Sequence, residues 1–125
     1  MRDQVSLAEE AQGPTKQLAL NLCKVVGRLP RTHSADVVAR QLIRSASSTA
    51  ANYRAVNRGR SEAEFYAALC ICVEEADETC FRLEVLRDAD LVAPENVAPL
   101  LSEAEPIRNL LSKSRATLKR NQKRE

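Results

Sequence analysis

The chain has 125 residues and a formal net charge of +2, with 19 Lys or Arg set against 17 Asp or Glu, which is the size of one domain with a modest core. Aromatic residues make up 3% and there are three glycines, so the core must come from Leu, Val, Ile, Ala and Cys, and a turn-rich β fold is disfavoured. No apolar run approaches the roughly 20 residues that span a bilayer. The segment from Met1 to Val5 has no secretory apolar region, so the cytoplasm is the expected compartment.

The first thirteen residues lack a sustained apolar period and end at Gly13-Pro14, which predicts a flexible lead over residues 1–13. A first helix is expected to begin at Thr15, acting as its N-cap, with the core stripe Leu18, Leu22, Val25 and Leu29. Leu29-Pro30 should stop it, because a proline disfavours helical geometry in the residue before it. Thr32 or Ser34 can cap a second helix, whose stripe is Ala39, Leu42, Ala46, Thr49, Tyr53 and Val56. Its centre, Ser45 to Ala51, is all small residues, the composition of a close helix crossing. Gly59 marks its end.

Ser61-Glu62-Ala63-Glu64 reads as a capping box opening a third helix. The stripe Phe65, Leu69, Cys72, Ala76, Thr79, Leu83 and Leu86 follows for about six turns. After a short link, Pro94 suits the first turn of a fourth helix with the stripe Val97, Leu100, Ala104, Ile107, Leu111, Ser114 and Leu118. Pro106 should kink that helix, and residues 121–125 should form a frayed basic tail. Four stripes with short connections predict an all-α, antiparallel up-down four-helix bundle over residues 14–120. Ile43, Tyr66, Cys70, Val73, Phe81, Val85 and Leu110 fall off the stripes. They call for a wider core or a second buried surface between subunits, and a homo-oligomer is favoured.

The small net charge hides segregation. Residues 14–60 carry nine Lys or Arg against Asp36 alone, and residues 61–105 carry twelve acids against Arg82 and Arg87. Residues 106–125 return to seven basic residues against Glu125. Arg40, Arg44, Arg54 and Arg58 share one stripe beside the core seam. Ion pairing with Glu62, Glu74, Glu75, Asp77 or Glu78 is the favoured reading of that stripe. The competing reading is a phosphate track joined by Arg60 and by a C-terminal cluster that includes Lys113, Arg115, Lys119 and Arg120. The C-terminal cluster has few acids of its own and is the better anion site.

Chemistry is thinly represented. Cys70 and Cys72 lie on nearly opposite helix faces and there is one histidine, so a zinc site is disfavoured and Cys23, Cys70, Cys72 and Cys80 are expected to be buried apolar residues. Arg28 and His33 match a spacing used by helical ribonucleases, but Pro30 lies between them in a connection, a poor scaffold for an acid–base pair. No phosphate-cradling glycine loop, Glu-x-x-His pattern or Ser/His/Asp set is present, so neither an enzyme, a metal nor a cofactor is expected.

The segments Ala51-Asn52-Tyr53-Arg54-Ala55, Arg58-Gly59-Arg60-Ser61, Ala63-Glu64-Phe65 and Glu74-Glu75-Ala76-Asp77-Glu78-Thr79, with the upstream Thr15-Lys16-Gln17-Leu18-Ala19-Leu20, Leu29-Pro30 and Arg40-Gln41-Leu42-Ile43-Arg44-Ser45, carry a resemblance. Over residues 14–118 the chain resembles the bacterial four-helix-bundle proteins first noticed in intervening sequences of 23S ribosomal RNA genes. That resemblance implies an antiparallel bundle, a ring of five subunits, and kinship with the accessory variability determinant of diversity-generating retroelements, a basic pentamer that binds nucleic acid and a reverse transcriptase. The function then expected is an oligomeric, nucleic-acid-associated scaffold using Arg40, Arg44, Arg54, Arg58, Arg60, Arg115, Lys119 and Arg120. The alternative is an adaptor for a protein such as a reverse transcriptase, with no nucleic-acid contact. Asn52 and Tyr53 are expected to face Glu75 and Glu78 in a buried polar network that sets helix register.

Overall fold

The computed structural model describes residues 2–56 and 61–123, with side chains described over residues 11–56 and 61–121. Four helices follow in order: α1 (Arg2–Val26), α2 (His33–Val56), α3 (Glu62–Asp88) and α4 (Pro94–Lys123). α1 packs on α2, α2 on α3, α3 on α4 and α4 on α1, while the backbones of α1 and α3, and of α2 and α4, stay apart. The helices therefore stand at the corners of a square in chain order, and short connections make each run opposite to its neighbours. This is the expected antiparallel up-down four-helix bundle.

The stripes account for the core. Every residue of the α2 and α3 stripes is buried, as are Leu18 and Leu22 of α1 and the α4 stripe from Val97 to Leu111. Val25, Leu29 and Leu118 pack half-buried against this core. Of the off-stripe apolar residues, Val73 is buried, and Ile43, Tyr66, Cys70, Val85 and Leu110 are half-buried. Phe81 stays 58% exposed, and Leu20, Val37 and Ile71 are also large exposed apolar residues.

Three expected boundaries move: the start of α1, its end, which falls at Val26 before the expected Leu29-Pro30 stop, and the end of α4. α1 does not start at Thr15; it runs from Arg2 straight through Pro14. Thr15 is not a cap but a buried helical residue whose hydroxyl donates to the Gln12 carbonyl at 3.0 Å. The cause is tertiary. Ala11, Thr15, Leu18 and Leu22 are all buried at helical spacing, so packing continues across the proline and offsets its lost donor. α4 likewise runs through Pro99 and Pro106 as one element and includes residues 121–123, which were expected to fray. The stop assigned to Gly59 lies outside the described residues, and Val56 is the last residue of α2.

Local signals set the other ends. The Thr32 hydroxyl accepts from the Ala35 amide at 3.2 Å and caps α2, leaving Ser34 inside the helix. The Ser61 hydroxyl accepts from the Glu64 amide at 3.1 Å, with Ser61 extended at φ −147°, so the forward half of the capping box is formed. α3 closes with Leu91 N–H on the Leu86 carbonyl at 2.9 Å and Asp90 N–H on the Arg87 carbonyl at 3.1 Å. This Schellman pairing needs a left-handed residue, supplied by Asp90 at φ 56°. Half-buried Leu91 packs against the core, completing the stop.

The seam between α2 and α3 is the most extensive and holds a polar ladder. Thr79 Oγ1 donates to Ser45 Oγ at 2.9 Å or to its own Glu75 carbonyl at 2.8 Å. Ser45 Oγ donates to the Leu42 carbonyl at 3.1 Å, and Thr49 Oγ1 to the Ser45 carbonyl at 2.7 Å. These hydroxyls are buried but satisfied, so they cost little and oppose sliding of one helix along the other. The small residues here allow the approach, as their composition predicts.

Candidate functional site

The bundle separates residues that the sequence grouped. On α2, Arg44 is tied to α3: Nη2 lies 2.9 Å from Glu78 and Nη1 lies 3.3 Å from Glu75. Glu75, by hydrogen bond and by charge, pushes the Arg44 pKa further up. Gln41 joins this cluster, accepting from Arg44 Nε at 3.2 Å and from Arg82 at 3.4 Å. The pairing reading therefore holds for Arg44. It does not extend to Arg40 and Arg54, which are exposed and make no ion pair with a described residue. Arg58 and Arg60 lie outside the described residues.

The polar network expected around Asn52 takes a different form. Glu75 and Glu78 serve Arg44, and the Asn52 amide donates within its own helix, to the Ser48 carbonyl at 2.8 Å and the Ser48 hydroxyl at 2.9 Å. Tyr53 is fully buried. Arg44, just over two helical turns before Asn52, reaches the α3 carboxylates that had been expected to face Asn52.

On α4 the cations differ from one another. Arg108 stands 3.8 Å from Asp77 of α3. Arg115 is half-buried and near Tyr66 of α3, whose phenol pKa is raised first by the hydrogen bond it shares with Cys70 and is drawn down by Arg115. Lys113, Lys119 and Arg120 are exposed and have no carboxylate partner among the described residues; Arg120 reaches only the Thr117 hydroxyl, at 3.4 Å. Helix alternation brings the C-terminal ends of α2 and α4 to the same end of the bundle, on diagonally opposite corners. Arg54 and the Lys119–Arg120 pair thus share an end. Arg40 lies about 21 Å from Arg54 along α2, toward the other end.

A feature missed from sequence lies between α1 and α2. An open groove of about 390 Å³ has small α2 residues, Ser47, Ala50 and Ala51, on one side and Ala19, Leu20 and Cys23 of α1 on the other. Lys16 and Arg54 line it as well. The available signal was a second α1 stripe, Lys16, Leu20 and Cys23, one step off the core stripe. Cys23 is consequently exposed, against the expectation that all four cysteines are buried, and Cys70 is half-buried. Cys72 and Cys80 are buried, and loss of solvent pushes their thiols up to about 12 and about 11. On the opposite flank of α1, Asn21 donates to both Glu103 oxygens at 3.0 and 3.1 Å and ties α1 to α4.

Arg28 and His33 are both exposed, one in the turn after α1 and the other opening α2. Among the described residues no three His, Cys, Asp or Glu are grouped to hold a metal ion, and no helix is long and apolar enough to cross a membrane.

Fold and layout define a four-helix bundle with segregated surface charge. The family model for the 23S rRNA-intervening sequence protein matches residues 11–113, and the chain belongs to that family. It is also similar to a crystal structure of a protein of unknown function from the S23 ribosomal protein family of Bacteroides thetaiotaomicron. The TM-score is 0.80 at 24% identity, covering 88% of this chain and 98% of that one, a likeness of fold. No curated protein matches the chain.

Proposed function

We propose that the protein is a non-enzymatic, self-associating cytoplasmic scaffold that holds nucleic acid by its phosphate backbone through the C-terminal half of α4. The observation that carries this reading is a contrast in partners: Arg44 is engaged by two carboxylates, whereas Lys113, Lys119 and Arg120 are exposed with none among the described residues. Unpaired cations on one helix end can displace the counterions of a polyanion, and phosphate contacts of this kind need no cleft. Arg54 at the same end and Arg115 beside it add to the local field. The family's description, which ties its members to sequences intervening in 23S rRNA, makes structured RNA the first polyanion to try.

The test is anisotropy of a labelled structured RNA titrated with nuclease-treated protein over a salt series. Affinity should fall steeply with salt, and a Lys113→Ala/Lys119→Ala/Arg120→Ala variant should show a shallower salt slope. No binding at low salt would overturn the reading and favour the protein adaptor, to be sought by pull-down after nuclease treatment. RNA incubated with the protein should stay intact; cleavage that His33→Ala abolishes would overturn the non-enzymatic part.

A further inference from the structure

An unpaired base differs from a paired one in offering its flat face, and a protein can use that face whatever the sequence. Doing so takes an aromatic ring close to the cation that holds the neighbouring phosphate. The chain has no Trp, two Tyr and two Phe. Tyr53 and Phe65 are buried in the core. Phe81 is exposed, but it stands about 22 Å along α3 from Tyr66 and between Asp77 and Glu84, acids that repel phosphate. Tyr66 remains, half-buried in the first turns of α3.

Helix alignment sets Tyr66 beside the α4 cations. α3 and α4 run antiparallel, and Asp77 meets Arg108 at 3.8 Å. Two turns along, or about 10 Å, the same alignment brings Cys70 level with Arg115. One turn further it brings Tyr66 level with Lys119. Arg108, Arg115 and Lys119 recur at helical spacing and form one flank of α4, while Asp77, Val73, Cys70 and Tyr66 form the facing flank of α3. The Tyr66 phenol, raised first by its hydrogen bond to Cys70, is drawn down by Arg115, as this alignment requires. Between Asp77 and Tyr66 the α3 flank holds no other acid, so the ring faces cations alone across the seam.

Two further features suit this ring to a base. Its hydroxyl is held by Cys70 one turn on, so its rotamer is set in advance and little side-chain freedom is lost on binding. Arg115 and Lys119 make no ion pair with a described residue, and Lys119 is exposed. We infer that Tyr66 is a stacking platform for one unpaired base whose flanking phosphates are held by Arg115 and Lys119. The ligand is then a nucleic acid with an unpaired stretch at the contact, such as the loop, bulge or end of a structured RNA, and not a continuous duplex. The inference deepens the proposed function and rests on it, because the same end of α4 supplies the charge. Phosphate contact gives affinity for any strand, and Tyr66 gives the preference for an open one.

The experiment is anisotropy with two labelled RNAs carrying equal numbers of phosphates, an unstructured single strand and a blunt duplex. The full chain is compared with Tyr66→Leu and Tyr66→Phe, each checked for helical content by circular dichroism. Wild type should bind the single strand more tightly than the duplex at the same salt. Tyr66→Leu should weaken single-strand binding about tenfold, the loss of one stacked base, and leave duplex binding unchanged. Neither salt slope should move, because the slope counts phosphates and stacking adds none. Tyr66→Phe keeps the ring and should stay close to wild type. Because the chain has no Trp, tyrosine emission can be followed directly: the single strand should quench it, and Tyr66→Phe should show no quench. That measurement decides the matter in the wild-type protein even if Tyr66→Leu fails to fold. Duplex binding as tight as single-strand binding, a folded Tyr66→Leu that keeps its single-strand affinity or loses both RNAs equally, or unquenched emission at saturation would overturn the stacking role and leave phosphate binding by α4 standing. No binding of either RNA at low salt would overturn both.

Discussion

The α2–α3 seam and the C-terminal half of α4 use the same kinds of residue to different ends. In the seam, an arginine meets acids from the next helix, hydroxyls meet one another, and small side chains bring two backbones close. At the end of α4, Lys113, Lys119 and Arg120 stand exposed with no acid across from them among the described residues. The lesson is that charge density along a chain does not mark a binding surface. What marks it is whether the neighbouring helix brings a carboxylate within reach. Arg44 is occupied because α3 carries Glu75 and Glu78 opposite it, whereas no acid among the described residues faces Lys119.

The largest effect that should sharpen this contrast comes from emptying the seam. Leu83 is fully buried, and Leu83→Ala should lower stability by about 3 kcal/mol in urea unfolding, from lost transfer energy and the cavity left behind. RNA affinity measured well below the unfolding midpoint should stay as it is. A variant that loses RNA binding while still folded would break the division between seam and α4.

Removing the three free α4 cations should do the opposite. Stability should be almost unmoved, and the slope of log affinity against log salt should become shallower by about 2.7 if all three contact a duplex. Arg44→Ala should leave that slope unchanged. If Arg44→Ala shifts it as much as the α4 variant does, the ion pair is not the arginine's main occupation.

A smaller effect follows from the buried ladder. Thr79→Val keeps the shape of the side chain and removes one donor, and Ser45 still donates to the Leu42 carbonyl. The expected loss is about 1 kcal/mol, read from the urea midpoint.

The thiols give a pH signature confined to the core. Burial raises Cys72 to about 12 and Cys80 to about 11 from an ordinary 9.0. Above pH 9 the unfolded chain releases these protons while the folded chain keeps them, so the unfolded state binds fewer protons and stability falls as pH rises. The contribution is complete below pH 9 and is lost through pH 9–12, at roughly 1 kcal/mol per pH unit per thiol, seen as a falling melting temperature. In the folded protein at pH 9, the exposed Cys23 should react with a thiol reagent well before either of these. Equal rates would mean that the core opens on the timescale of the reaction.

The smallest change concerns the link into α4. Asp90 holds a left-handed conformation at φ 56°, which glycine adopts without strain. Asp90→Gly should therefore raise stability slightly, by up to about 1 kcal/mol.

Read by itself, the sequence determined the helices, their order, the core stripes and most of their ends. Those features depend on a 3.6-residue period and on short-range capping, and both are written in neighbouring residues: Thr32, Ser61 and Pro94 each do locally what their position predicts. It also separated the basic and acidic segments. Tertiary structure decided the rest. Only packing could carry α1 through Pro14, because the burial of Ala11 and Thr15 comes from contact with other helices. Only the packing of α2 on α3 could choose Arg44 over Asn52 as the partner of Glu75 and Glu78, since the two lie about two turns apart on the same helix and the sequence does not fix which of them stands opposite the acids. The α1–α2 groove, with exposed Cys23 inside it, arises from small side chains on one helix meeting an off-stripe row on another, and neither row marks a groove until the two are side by side.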